Sequence, residues 1–126
     1  MLGPWKSCSE RNWGAPMLDL RPEWLETVRR LIAAHIPHAE VWAYGSRVQG
    51  TSHEGSDLDL VVRNPNDLSQ PQANLYELRE ALSESNLPIL VDVLDWARIP
   101  ESFRQEIVRG GMVPVQTGDD EGATPA

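Results

Sequence analysis

Residues 57–62 read Asp-Leu-Asp-Leu-Val-Val, two acids at alternate positions opening an otherwise apolar run. Side chains alternate across a β-strand, so this spacing aims Asp57 and Asp59 at one face, with Val61 beyond them. Leu58, Leu60 and Val62 point to the other face and anchor the strand in a core. The acids stand at the strand's beginning, where the core gives way to a cleft. Burying a charge costs a great deal unless it is paired or bound to metal. Two parallel carboxylates therefore need either a shared proton or hard cations that neutralise both.

A third acid lies in Ile-Leu-Val-Asp-Val-Leu, residues 89–94, a second apolar strand. Asp92 sits between two valines and shares a face with Leu90 and Leu94, which are expected to wall the cleft against water. If this strand lies beside residues 57–62, Asp92 completes a trio with Asp57 and Asp59. Three carboxylates around one spot suit a divalent metal with oxygen ligands, Mg2+ being usual where phosphates fill the shell. Asp95 faces the other way and reads as a cap or turn residue.

Ten residues separate Asp57 from Gly45-Ser46, which closes the strand reading Ala-Glu-Val-Trp-Ala-Tyr-Gly at 39–45. A glycine there lets a phosphate or another backbone approach closely. Ser46 reads as the N-cap of a helical turn through Arg47, Val48 and Gln49, whose free N–H groups suit phosphate oxygens. Ser46 is expected to bond a terminal phosphate and Arg47 to add positive charge nearby. A phosphate cradle facing a metal-binding acid cluster is the layout of phosphoryl or nucleotidyl transfer. Each piece alone has a bland explanation: Gly-Ser is usually only a turn, and a strand-borne Asp-x-Asp is usually a solvated edge. The joint spacing is another matter, since average residue frequencies put a chance match well under ~1%.

The remaining elements follow from periodicity and punctuation. Pro22 opens a helix with Trp24, Leu25, Val28, Leu31, Ile32 and Ile36 at spacings of three and four, ended by Pro37. Pro71 can open a second helix with Leu75, Leu78 and Leu82 inward. Pro100 starts a third, carrying Phe103, Ile107 and Val108 and closed by Gly110-Gly111. Met-Val-Pro-Val at 112–115 reads as a short edge strand, because Pro114 cannot donate to a central ladder. The expected fold is one small mixed α/β (α+β) sheet with helices packed mainly on one face. Residues 1–18, with Trp5 and Trp13 in a polar setting, are expected to be a disordered extension. Residues 19–116 form the folded domain, and 117–126 a flexible acidic tail.

Charge and composition narrow the functions open to such a domain. The net charge is −8 and no stretch gathers five basic residues, so direct nucleic-acid binding is not expected. No apolar run approaches the ~18 residues that span a bilayer, and no secretory signal is visible. The one cysteine, Cys8, has no internal partner for a bridge, which fits a reducing cytoplasm.

Gly45-Ser46, ten residues, then Asp57-Leu58-Asp59 resembles the signature of the polymerase-beta-type nucleotidyltransferase superfamily. The compact length, Arg21 to Ile32, Val91 to Trp96 and Ile99 to Val113 resemble its minimal nucleotidyltransferase (MNT) branch. The resemblance implies a polymerase-beta-like fold, two Mg2+ ions held by Asp57, Asp59 and Asp92, and nucleotide phosphate at Ser46. It also implies ATP as substrate and a helical HEPN-type toxin as partner. The chain would then act as antitoxin, moving AMP to a tyrosine of that toxin. Gln49 departs from the pattern, standing where an arginine is frequent.

The chain is too short for a second domain, so the acceptor surface is expected from a partner chain or a dimer. Two alternatives remain: an antitoxin that inhibits only by covering its partner, and a homodimeric transferase acting on an aminoglycoside-type small molecule. His35 and His38 flank a helix end, where cationic side chains suit the dipole. Trp42, Tyr44 and Trp96 either pack the sheet or stack on the adenine ring.

Overall fold

The computed structural model describes residues 18–117. The disordered-extension and acidic-tail expectations, with Trp5 and Trp13, fall almost wholly on residues outside that range. In chain order the elements are α1 (Pro22–His35), β1 (Glu40–Tyr44), α2 (Ser46–Gln49), β2 (Leu58–Arg63) and α3 (Leu75–Ser83). They continue with β3 (Val91–Asp95), a 3-10 turn (Trp96–Arg98), α4 (Glu101–Gly110) and β4 (Val113–Thr117).

The four strands form one sheet in the order β3-β2-β1-β4. β1 runs antiparallel to β2 and β4, while β2 and β3 are parallel. This is the mixed sheet expected, with the strand bearing Asp92 beside the strand bearing Asp59. β4 lies at the edge, and the β1–β4 register shifts between Val41 and Trp42, opposite Pro114. A bulge on an edge strand is where proline's missing N–H does least harm. Gln116 then closes that edge, donating to the carbonyls of Ile36 and Ala39 at 2.9 Å each.

Strand alternation sorts the core into two layers. Leu58, Leu60 and Val62 are fully buried with Val28 and Ile32 of α1 and Leu75, Leu78 and Leu82 of α3. Burying each such aliphatic side chain contributes roughly 1.5–3 kcal/mol. On the opposite face Tyr44, Val61, Trp96 and Ile107 form a smaller cluster, with Trp42, Leu94 and Phe103 packed against it. Helices α1 and α3 thus share one face as expected, and α4 covers part of the other. Val108 was expected on the inward stripe of α4 but is 58% exposed, because that stripe runs through Phe103 and Ile107.

Several boundaries differ from expectation, among them β2, which starts at Leu58, and β4, which spans Val113–Thr117. α3 begins at Leu75 rather than Pro71; Asn74 takes a left-handed conformation at the helix start. β3 starts at Val91, although the Leu90 carbonyl still accepts from Leu58 N at 2.9 Å. Asp95 behaves as the sequence indicated. It is 4% exposed and accepts from Ala97 N at 3.3 Å, capping the 3-10 turn, and from Gln72 N at 2.9 Å.

Candidate active site

The site is a row across three strands. Tyr44 pairs with Asp59 in the β1–β2 ladder, and Asp59 pairs with Asp92 in the β2–β3 ladder. Residues opposite one another in a ladder share a face, so Tyr44, Asp59 and Asp92 stand side by side. Asp57, two residues before Asp59, lies on that face at the strand's entrance and is exposed, as is Asp92. Asp59 is half-buried between them.

The electrostatics record this crowding. The Asp59 carboxyl is raised above its ordinary 3.8, first by burial, then by the negative charges of Asp92 and Asp57. Burial, and then Asp59 and Asp92, push the Tyr44 phenol far above its usual range. Tyr44 is therefore neutral at physiological pH and serves as the site's inner wall, edge-on to Phe103 at 6.1 Å.

Gly45 explains how Asp59 is seated. Its φ of +86° is a conformation that side-chain-bearing residues rarely adopt. A Cβ placed there would lie 2.5 Å from Asp59 Oδ2, so the carboxylate rests directly on the glycine. Gly45, not Ser46, is the N-cap of α2, and Ser46 is its first helical residue. The sequence reading placed the cap one residue late because serine is the better capping side chain; here the chain's need for a left-handed turn decides. Ser46 stays at the turn, half-buried.

Arg47 is the chief correction. The sequence reading set its charge beside a phosphate, but the guanidinium is 3% exposed and donates to backbone carbonyls. It bonds Ser56 O at 3.1 and 3.0 Å, Asp19 O at 2.7 Å, Glu54 O at 2.9 Å and His53 O at 3.3 Å. Sequence reasoning missed Asp19 altogether: it lies 28 residues from Arg47, in a segment without local signal.

The water-excluding wall is also only half present. Leu94 packs against the smaller core cluster, whereas Leu90, just ahead of β3, is 73% exposed. Trp42 and Trp96 pack rather than await a base: the Arg63 guanidinium sits 5.5 Å from one ring centroid and 5.2 Å from the other. Arg63 also pairs with Glu40 across the β1–β2 ladder.

The donor set consists of carboxylate oxygens, which suits a hard divalent cation such as Mg2+. Asp59 is raised by burial first and then by repulsion from Asp92 and Asp57, and such an ion would relieve that repulsion. Among the described residues no group of three or more acids, histidines or cysteines is gathered as a finished metal cage. The fold supplies the register that brings the acids to one row.

Comparison with known proteins gives the family. Residues 26–117 match the family described as polymerase beta, nucleotidyltransferase. The chain is 42% identical over 99 residues to a probable protein adenylyltransferase MntA of Haemophilus influenzae, covering 79% of this chain and 84% of that one. It is 30% identical over 83 residues to poly(A) RNA polymerase protein 2 of Saccharomyces cerevisiae, covering 66% of this chain but 14% of that one. A crystal structure of a toxin–antitoxin with AMP-PNP superposes with a TM-score of 0.59 at 24% identity, covering 77% of this chain and 76% of that chain. A mutant of the MntA-HpeT toxin–antitoxin superposes at 0.58 and 22%, with the same coverage. These two likenesses show the fold. The chain belongs to the polymerase beta nucleotidyltransferase family.

Proposed function

We propose, with that membership as premise, that this protein is an Mg2+-dependent adenylyltransferase acting as antitoxin. It moves AMP from ATP to a hydroxyl, a tyrosine's by our reading, of a HEPN-type toxin partner in the cytoplasm. The observation that carries this reading is the Asp59–Asp92 register, with Asp57 at the same lip. The name of the Haemophilus relative supports adenylyl as the group moved and a protein as the acceptor.

In this reading Asp57, Asp59 and Asp92 hold Mg2+, and Gly45 and Ser46 face the nucleotide phosphates. When bound, two Mg2+ ions supply charge stabilisation to the entering and leaving oxygens of an in-line displacement. Asp92 stands on the outermost strand, open to solvent, so an acceptor hydroxyl reaches it first. It takes the hydroxyl proton as the oxygen bonds to the α-phosphorus and pyrophosphate departs. Tyr44 closes the opposite end of the row. Arg47 has no phosphate role here, because its donors are already engaged.

The test uses the purified chain, labelled ATP, Mg2+ and the product of the neighbouring gene. Label is expected on the partner, and Asp57→Ala, Asp59→Ala or Asp92→Ala lowers transfer by about a thousandfold. Absence of label, together with neutralisation of the partner by these variants as effective as wild type's, overturns the reading in favour of a binding-only antitoxin.

A further inference from the structure

We infer that Arg47 is a positioning residue: with Asp19 it locks the loop 52–56 and so fixes Asp57 where metal must be held. This rests on the proposed reaction for what the lock serves, while the lock itself is a matter of geometry.

Asp57 is pinned from both sides. After it, Leu58 N bonds the Leu90 carbonyl of the neighbouring strand. Before it, the Ser56 carbonyl accepts two bonds from Arg47, at 3.1 and 3.0 Å. The same guanidinium holds Glu54 O and His53 O, so three loop carbonyls converge on one buried cation. Only arginine offers five N–H donors in a planar fork; a lysine ammonium has three and no plane.

Asp19 closes the lock from outside the loop. Its carbonyl accepts from Arg47 at 2.7 Å and its N–H donates to the Arg47 carbonyl at 2.7 Å. Its carboxylate accepts from Ser52 Oγ at 2.6 Å, tying down the far end of the loop. The Trp24 ring lies 6.0 Å from the Arg47 guanidinium and 5.3 Å from that of Arg21, and Arg21 pairs with Glu54 at 2.6 Å. A buried charge committed to four backbone carbonyls holds the loop's shape. That is what a metal site needs when two of its ligands sit on one strand entrance and the third on another.

A merely structural arginine would affect melting and nothing else. The test therefore compares wild type with Arg47→Ala, Arg47→Lys, Asp19→Ala and Ser52→Ala. It measures AMP transfer to the partner, the Mg2+ concentration at half-maximal rate, melting temperature and backbone amide exchange over 52–56. We expect Arg47→Ala to transfer about a hundredfold more slowly and to need about tenfold more Mg2+, with faster exchange in the loop. Added guanidinium ion should restore part of the Arg47→Ala rate and leave Arg47→Lys unchanged. Asp19→Ala and Ser52→Ala should shift the Mg2+ requirement the same way by less, at near-wild-type melting temperature.

A folded Arg47→Ala with wild-type Mg2+ dependence, or without recovery in guanidinium, overturns the inference. Should that variant not fold, unchanged Mg2+ dependence and loop exchange in Asp19→Ala and Ser52→Ala overturn it instead. Failure of wild type to transfer AMP removes the proposed reaction, while loop exchange still decides the lock.

Discussion

Asp59 and Asp92 face each other across the only parallel pairing in the sheet's described strands, partners in register between β2 and β3. Parallel neighbours with like charges repel, and nothing in packing rewards that placement. The arrangement makes sense once a cation shares the space, and several expectations follow from the relation.

Asp59 should add a falling component to the acid-to-neutral stability profile of the metal-free protein. Its carboxyl is raised above 3.8 in the fold, so the unfolded chain releases that proton first. The stability it contributes is fully present below 3.8 and is lost as pH rises through the raised value. Asp59→Asn should remove this loss and melt a few degrees above wild type at neutral pH without divalent metal. Melting curves from pH 3 to 8, in buffer containing a chelator, check it.

Mg2+ should reverse that order. Binding to the folded state alone stabilises it by about 2.7 kcal/mol at a hundredfold excess over Kd. Wild type should therefore gain melting temperature with Mg2+, and Asp59→Asn and Asp92→Asn much less. Equal gains in all three proteins would count against these acids as ligands.

Gly45→Ala should be severe although it adds one methyl group. The residue sits at φ +86° and ψ −155°, a region nearly restricted to glycine that costs an L side chain on the order of 1–3 kcal/mol, and its Cβ would press on Asp59 Oδ2. Loss of AMP transfer should exceed what that destabilisation explains, because the displaced group is the central acid. Denaturant unfolding beside transfer rates separates the two effects.

Asp95→Ala should act on stability alone. The buried carboxylate satisfies the N–H groups of Gln72 and Ala97, and removing it strands donors at a cost of ~1–3 kcal/mol. KM for ATP should stay at the wild-type value. Leu90→Ser offers the opposite control: at 73% exposure it should change unfolding free energy by less than ~0.5 kcal/mol.

The strands and their acids were legible because a period of two is imposed by the backbone itself. Leu58, Leu60 and Val62 could enter the core only by leaving Asp57 and Asp59 outside it. The pairing of the Asp92 strand with its neighbour was also open to inference, and the sheet order bears it out. What stayed hidden was set by contacts distant in sequence. Arg47 reads locally as a charge beside a glycine turn, and its partners appear only once Asp19 and the 53–56 carbonyls are folded around it. Leu90 reads as a wall of the cleft because it is apolar and shares the Asp92 face, yet the strand it leads into lies at the sheet edge, so one flank has no neighbour to bury it. The capping residue was misplaced by one because side-chain preference does not report φ.

The parallel run of β2 and β3 obliges the chain to cross over between them, by way of α3. Inter-strand bonds, rather than that crossover, keep Asp59 level with Asp92. Between Arg63 and Leu75 the backbone makes only turns, tied down by the Asp95 carboxylate at Gln72. Foreign sequence spliced ahead of Gln72, at residues 64–70, would lengthen the detour without disturbing either acid. That makes this stretch a place to append a reporter or a second module to a working enzyme.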